Sequence, residues 1–381
     1  SFLVIGSKGE LKELAIEGWD SFEGQSPHRP WIDKVKIKHP QTGLIGTRIK
    51  DVGNPWLDAG IVPFSTLNYN SDRDYWDQWF PGDFVTECFP GQFRNWFYSL
   101  LAMSAELEGR APFKKLLGHA LVKDETGRDM HKSWGNAIWF DDAAEKMGVD
   151  VMRWMYALQN VEQNLLFGYG PADEVRKKLI TLWNVYSFYA TYASVDGFDP
   201  MANPIKKDQL TVLDKWVIAK THLLLKTGRN AMDEFRVDHF MKSFEIFLEE
   251  LSNWYIRRNR RRFWKSENDQ DKLSAYHTLY DCLVAISHLL APFTPFLAET
   301  LYQNLVRSVN NKAAESVHMQ PWQKEDSSLI DESLSSITRL AMIISSLGRS
   351  ARSKAQIRVR QPLSTILVKA ASKKDEADIM A

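Results

Sequence analysis

Gly127-Arg-Asp-Met-His-Lys-Ser-Trp-Gly-Asn136 decides how the rest of the chain is read. It follows the short apolar run His119-Ala-Leu-Val122, so it reads as a glycine-bounded loop at the end of a strand. One lysine beside one serine in such a loop suits a polyphosphate. The Lys132 ammonium is a mobile point charge, and the Ser133 hydroxyl and backbone N–H groups are donors. Alone, the ten residues fit a solvated turn better. The flanking sequence separates the two readings.

On the N-terminal side, Phe113 to Val122 predicts a strand. Phe93 to Glu108 predicts a helix, with Trp96, Phe97, Leu100, Leu101 and Ser104 at helical spacing. Before it, Asp83-Phe-Val-Thr86 predicts another strand, with Glu87 at its end and Gln92 just beyond. Ligands of open α/β sheets bind beyond the carboxyl ends of strands, which makes Glu87, Gln92 and Trp96 candidates. On the C-terminal side, Asp141 and Asp142 are placed to cap a helix running to Met147, with Gly148 as its stop. Strand, helix, strand, loop, helix is half of a nucleotide-binding α/β sheet. Further upstream, Asp51 to Gly60 reads as a turn-rich loop with two carboxylates and Trp56. Residues 1–50 read as β-rich connecting structure, with strands at Phe2–Ile5 and, at a sheet edge, Val35–Lys38.

Beyond residue 150 the pattern turns helical. Elements are expected at Val149–Leu158 and Ala172–Ala193, then a linker at Pro200–Pro204. Four amphipathic helices follow, Thr211–Phe235, Val237–Trp264, Leu273–Leu290 and Phe296–Val306, and make a bundle. Most tryptophans fall at core spacing, Trp96 excepted. Near the end of the second bundle helix lies Arg257-Arg-Asn-Arg-Arg-Arg262. On a helix these arginines spread around most of the circumference. Two partners suit them: bundle carboxylates such as Glu249 and Glu250, or a phosphate backbone. The alternating run Gln356–Gln361 reads as a strand, and Ala370–Ala381 as a disordered tail.

The bulk composition sets limits. The 381 residues are 44% hydrophobic and 25% charged, those of an ordinary globular protein of two or three domains. Forty-eight basic and 48 acidic residues give a formal net charge of zero, so nucleic-acid binding must come from local patches. The two cysteines, Cys88 and Cys282, lie far apart without a Cys-x-x-Cys pair, which argues against a disulfide framework or a zinc site and for a reducing, cytoplasmic setting. No apolar run approaches a membrane span. Ser1-Phe-Leu-Val-Ile5 reads as an internal strand rather than a signal peptide, so the chain is expected to begin within a longer protein.

Taken together, these motifs resemble class I aminoacyl-tRNA synthetases of the isoleucine branch. Met130-His-Lys-Ser-Trp-Gly-Asn136 is similar to the family's Lys-Met-Ser-Lys-Ser loop with its trailing Leu-Gly-Asn. Asp51–Gly60 resembles Asp-Val-x-Asp-Val-Trp-Phe-Asp-Ser-Gly, Glu87–Phe97 resembles Glu-Gly-x-Asp-Gln-x-Arg-Gly-Trp-Phe, and Gly148–Arg153 resembles Gly-Ala-Asp-x-x-Arg. Asn253–Trp264, Ser316–Met319 and Val359–Leu363 fit the same branch. The sequence departs from the pattern at Asp129, where the family has its first Lys, at His131, where it has Ser, and at Cys88, where it has Gly. Neither a His-Ile-Gly-His motif nor the family's editing insertion occurs in the chain.

The resemblance implies an α/β fold, the second half of a Rossmann-like sheet, followed by an all-α bundle. It implies five regions: a connecting segment at 1–50, the half-sheet with the ATP loop at 51–147, a stem-contact junction at 148–205, an anticodon-binding bundle at 206–345, and the start of a C-terminal junction at 346–381. ATP, with Mg2+, isoleucine and tRNA(Ile) are the implied substrates and partners, with no resident metal, no membrane and a monomer. Lys132 and Ser133 carry the implied catalytic role, with His119 and Met130 beside the ATP. Glu87, Gln92 and Trp96 hold the aminoacyl-adenylate, and Arg257, Arg258 and Arg261 bind tRNA. Without the first half-sheet, the chain alone is not expected to form adenylate. Two alternatives stay open: an RNA-binding module with a vestigial nucleotide domain, and a valine or leucine relative.

Overall fold

A computed structural model of the chain describes residues 2–51, 53–89, 91–202, 207–264 and 269–380. Its contacts divide it into two units, Ser1–Leu116 and Leu117–Ala381.

In the first unit, α1 (Lys8–Leu14) starts at Ser7, whose hydroxyl accepts the Glu10 N–H. Strands β1 (Ala15–Glu17), β2 (Lys36–Lys38) and β3 (Ile45–Thr47) form an antiparallel sheet in that order, with Ile37 opposite Gly46. The expected edge strand is therefore the central one, because local alternation carries no information about who pairs on either side. Phe2–Ile5 forms no strand. The expected loop at Asp51–Gly60 instead contains α2 (Pro55–Gly60). Asn54 Oδ1 accepts the Trp56 N–H at 3.0 Å, and Pro55 holds the first helical position, where its missing N–H costs nothing. The next helix, α3 (Arg73–Trp79), carries Trp76 into a small core with Phe64 and Phe80, the Trp76 and Phe80 rings stacked at 4.3 Å. Arg73 lies over Tyr69 and Trp76 and pairs with Glu108 at 2.6 Å.

Strand β4 (Gly82–Cys88), helix α4 (Trp96–Glu108) and strand β5 (Phe113–His119) make the expected strand–helix–strand unit, β4 and β5 being hydrogen-bonded neighbours. Glu87 lies at the end of β4, as expected, one residue before its last. Helix α4 begins three residues later than its periodicity suggests, because the Gln92 carbonyl is taken by the Asn95 and Phe97 N–H groups in a preceding turn. Gly60 of α2 packs against this helix so closely that a Cβ there would lie 2.6 Å from the Ser99 carbonyl carbon.

In the second unit, β6 (Val122–Asp124) is separate from β5. The chain breaks at Ala120–Leu121, whose N–H groups go to the Val161 carbonyl and to Asn164 Oδ1. Helices α5 (Phe140–Met147) and α6 (Val149–Leu158) follow. The cap of α5 is Trp139, and Asp141 and Asp142 sit in its first turn, where they complement the helix dipole. Gly148, at φ 88°, ends that helix as expected. Strand β7 (Leu165–Phe167) then pairs parallel with β6, Val122 opposite Leu165 and Asp124 opposite Phe167. From there α7 (Tyr169–Val195) leads to the bundle.

The bundle comprises α8 (Val212–Asp233), α9 (Val237–Glu250), α10 (Arg257–Trp264), α11 (Gln270–Leu290) and α12 (Pro295–Tyr302), followed by α13 (Glu332–Lys354) and α14 (Lys373–Met380). A π-helical stretch, Leu251–Ile256, joins α9 to α10 without a break. Thr211 and Asp214 form a capping box at the start of α8. Phe240, Phe244, Leu251, Tyr255, Leu279, Leu283 and Ile286 fill a core to which water has no access. Three expectations change here. Gln356–Gln361 is no strand: its carbonyls at Arg358 and Gln361 are held by Arg352 Nη1. The tail is the helix α14 rather than disordered chain. Trp154 and Trp216 are enclosed, but Trp79, Trp134, Trp139 and Trp264 are more than half exposed, so core packing explains fewer tryptophans than their spacing implies. Of the linker at Pro200–Pro204, residues 203 and 204 lie outside the described residues. Among the described residues no helix is long and apolar enough to cross a membrane.

Candidate functional site

The loop after β6 is organised around a residue that its lysine does not reveal. Asp124, nearly enclosed, accepts from the Thr126 hydroxyl at 2.7 Å, the Thr126 and Arg128 backbone N–H groups at 3.0 and 2.9 Å, and Asn136 Nδ2 at 2.9 Å. These donors, the Thr126 hydroxyl foremost, hold its carboxyl far below the usual carboxylate range. Asn136 closes the other end. Its Nδ2 also donates to the Asp129 carbonyl at 2.8 Å, and its Oδ1 accepts the His131 N–H at 3.0 Å. The run Asp124-Glu-Thr-Gly127 is the signal for this turn, an Asx-type start with glycine at the left-handed position (φ 89° at Gly127).

Within that frame, Lys132–Trp134 is one turn of 3-10 helix ended by Gly135 at φ 70°. Lys132 and Ser133 are exposed, as a group that must reach a ligand requires. The Lys132 ammonium lies over the Trp139 ring, 4.6 Å from its centre, a contact worth about 0.5–1 kcal/mol at an exposed site. His131 stands edge-on to Trp134 at 4.2 Å. Met130 is half-buried beneath the loop. His119 points its Nδ1 at the Ala120 carbonyl, 2.9 Å away, and so carries its proton there. Asp129, the acid at the family's first lysine position, pairs with Lys123 of β6 at 2.5 Å, which holds its carboxyl below the usual range. Glu125 is spent elsewhere: its Oε2 accepts the Gly170 N–H at the start of α7.

Glu87, Gln92 and Trp96 belong to the first unit. Glu87 Oε1 accepts the adjacent Cys88 N–H at 2.6 Å. Gln92 Oε1 is buried without a hydrogen-bond partner among the described residues, the state of an acceptor waiting for a donor. Trp96 donates its Nε1–H to the Ala59 carbonyl at 3.2 Å, and its ring helps wall an apolar cleft of about 360 Å3 with Val62, Leu67, Val85 and Leu100.

The arginines sort themselves by side. Arg257, Arg258, Arg260 and Arg261 are exposed. Arg258 stacks on Trp254, 3.6 Å from the ring centre, and burial, with Arg349 nearby, lowers its pKa. Arg262 is a core residue. It clasps both Asp214 oxygens at 2.8 Å, its Nε faces Asp271 at 2.8 Å, and Tyr255 donates its hydroxyl to Asp214 at 2.6 Å. Glu249 and Glu250, expected to pair with arginines, instead meet Lys178 and Lys220 at 2.7 and 2.9 Å. A further pair escaped functional assignment in the sequence. Asp150 accepts the Leu297 N–H at 2.8 Å, and Arg153 donates to the Pro292 and Phe293 carbonyls at 2.6 and 2.9 Å. The Gly148–Arg153 motif thereby fastens α6 to the entry of α12.

Comparison with known proteins bears on both parts of this arrangement. A family model described as tRNA synthetases class I (I, L, M and V) matches residues 13–167, and one described as the anticodon-binding domain of tRNA ligase matches residues 214–367. Over those two stretches the chain is similar to class I tRNA synthetases. Its similar relatives include the isoleucine–tRNA ligases of Clostridium tetani, 41% identical over 96% of the chain, and of Thermus thermophilus, 40% identical over the same share. That of Methanosarcina barkeri is 36% identical. The chain spans about a third of these relatives' length, 35% for the first two. Among solved structures, the Agrobacterium radiobacter K84 agnB2 LeuRS-tRNA-LeuAMS ternary complex overlays 79% of this chain and 36% of its own, with a TM-score of 0.57 at 16% identity. Mycobacterium tuberculosis methionyl-tRNA synthetase with methionyl-adenylate overlays 75% of this chain and 60% of its own, at a TM-score of 0.55 and 17% identity. The fold is shared with these synthetase structures: α/β elements followed by a helical region.

Proposed function

We propose that the chain is the ATP-loop and anticodon-binding portion of a cytoplasmic, monomeric isoleucine–tRNA ligase. That enzyme joins isoleucine to ATP as isoleucyl-adenylate and passes the acyl group to tRNA(Ile). The observation that carries the reading is the 41% identity, over 372 residues, to a protein so named. Its regions follow the sequence: a connecting segment at 1–50, the half-sheet and loop at 51–147, a junction at 148–205, the bundle at 206–345 and a further junction from 346.

In this reading Lys132 neutralises the β- and γ-phosphates of ATP, which would also hold Mg2+, as the isoleucine carboxylate attacks the α-phosphorus, the α–β phosphoanhydride bond breaks and pyrophosphate leaves. Ser133 and backbone donors of the turn orient the same oxygens, and His119 and Met130 flank the nucleotide. Gln92 gives its orphaned carbonyl oxygen to a donor of the adenylate, Glu87 takes a second, and Trp96 walls the aliphatic side chain. The rigid frame of Asp124 and Asn136 supports the assignment, since a phosphate-positioning lysine acts only from a fixed loop. Exposed Arg257, Arg258 and Arg261 contact tRNA phosphates.

Isoleucine-dependent ATP–pyrophosphate exchange tests this. In the full ligase, Lys132→Ala is expected to lower exchange by roughly 100-fold or more, the usual effect of losing one transition-state charge contact. The 381 residues alone, lacking a His-Ile-Gly-His motif, are expected to give none. Undiminished exchange in the substituted ligase, or robust exchange by this chain alone, would overturn the reading.

A further inference from the structure

Between α8 and α11 the second unit leaves a cleft of about 530 Å3, bordered by Gln323, Ser328 and Leu329. Its size lies within the roughly 300–1,000 Å3 of small-molecule sites. Most of its wall is apolar, supplied by Ile218, Leu225, Val284 and Leu334. The polar groups that line it are unevenly satisfied. Asp281 of α11 makes no hydrogen bond or ion pair among the described residues. It stands at the rim with much of its surface exposed, yet protein atoms crowd it enough that burial pushes its carboxyl up to about 6. The Gln323 side-chain oxygen is buried and has no donor among the described residues. His222 accepts the Asp326 N–H on Nδ1 at 3.0 Å, so its neutral ring brings a proton on Nε2 rather than a charge. Lys215 lines the cleft without pairing to Asp281.

An apolar cleft with a rim carboxylate and a buried amide oxygen, neither with a protein donor among the described residues, is complementary to a donor-bearing cation with an apolar body. We propose that this cleft binds a small molecule of that kind, carrying one amine or guanidine group. Its N–H donors would face Asp281 and Gln323, and its hydrocarbon would lie against Ile218, Leu225 and Val284. The site is independent of the ATP loop and of the exposed arginines, and its existence does not rest on the tRNA reading.

Calorimetric titration of the full chain at neutral pH with n-hexylamine, n-hexanol and n-hexanoate tests the proposal. The three share one apolar body and differ only in the head group. The amine is expected to bind about tenfold more tightly than the alcohol, the ratio that one charge-assisted hydrogen bond supplies, with hexanoate weakest. Asp281→Asn is expected to bring the amine down to the alcohol's affinity and leave the alcohol unchanged. Equal affinity for amine and alcohol, preference for hexanoate, or no saturation by the amine up to about 10 mM would overturn it. So would an amine affinity indifferent to Asp281→Asn. Should that variant fail to fold, the comparison of the three probes on the unsubstituted chain decides alone.

Discussion

Asn136 makes three hydrogen bonds that tie the two ends of the lysine loop together, to Asp124, to the Asp129 carbonyl and from the His131 N–H. Each is worth about 1 kcal/mol net, so Asn136→Ala is expected to loosen the loop by about 2–3 kcal/mol. The measurable consequence is faster amide exchange at His131 by about 30-fold or more, with the exchange of bundle amides unchanged. If His131 exchanges as before, Asn136 is not the staple. Asp124 gives the same loop a pH dependence whose sign is fixed. Its folded carboxyl titrates far below its ordinary value near 3.9, so its contribution is complete above that value and is lost as the pH falls from there toward the folded one. Thr126 and Arg128 amide protection is therefore expected to hold at pH 6 and fall below about pH 4, and Asp124→Asn to abolish that step. Lys132 and Ser133 stand out as candidates in the sequence because phosphate chemistry favours those residue types. Asp124 and Asn136 do not, because an aspartate and an asparagine twelve residues apart announce their bond only once the turn between them is built. The same holds for Asp129: the acid is visible, but its partner Lys123 lies across a backbone bridge.

At the scale of elements, most helices were readable and most pairings were not. The bundle helices follow 3.6-residue periodicity and strong caps such as Thr211 and Asp269, and their bounds agree with the sequence within a few residues. Helix α2 had its signature too, Asn54 then Pro55, but the surrounding Gly and Pro hid it. The central position of β2 was beyond reach, since strand order is a property of the whole sheet. The arginine run shows the difference in energetic terms. Arg262 reaches across from α10 to an Asp214 with no exposed surface, so Arg262→Ala strands a buried carboxylate and is expected to cost about 3–5 kcal/mol in urea unfolding. Arg261→Ala, one residue away on the wet face, is expected to stay within about 0.5 kcal/mol. Similar losses for both would mean that the ion pair does not anchor α10 to α8.

For the molecule as a whole, zero net charge leaves no long-range field to draw in RNA, so the proposed affinity for tRNA must come from a local patch. Five closely spaced arginines could not be assigned to such a patch from sequence, because a helix distributes them over its circumference. The fold resolves them: Arg262 turns inward, while Arg257, Arg258, Arg260 and Arg261 face water, with Arg349 of α13 near enough to Arg258 to perturb it. Arginine bound to phosphate releases condensed counterions, so each lost contact removes about one unit from the slope of log affinity against log salt. Replacing Arg257, Arg258 and Arg261 together by alanine is therefore expected to flatten that slope by about two to three for tRNA(Ile). The thermal midpoint should fall only slightly, through the lost Arg258–Trp254 stack. Filter binding of the full chain across a salt series reads the slope directly. A slope unchanged by the triple substitution would move the RNA-binding face away from α10, whereas a flattened slope with the fold intact would place phosphate contacts on these arginines.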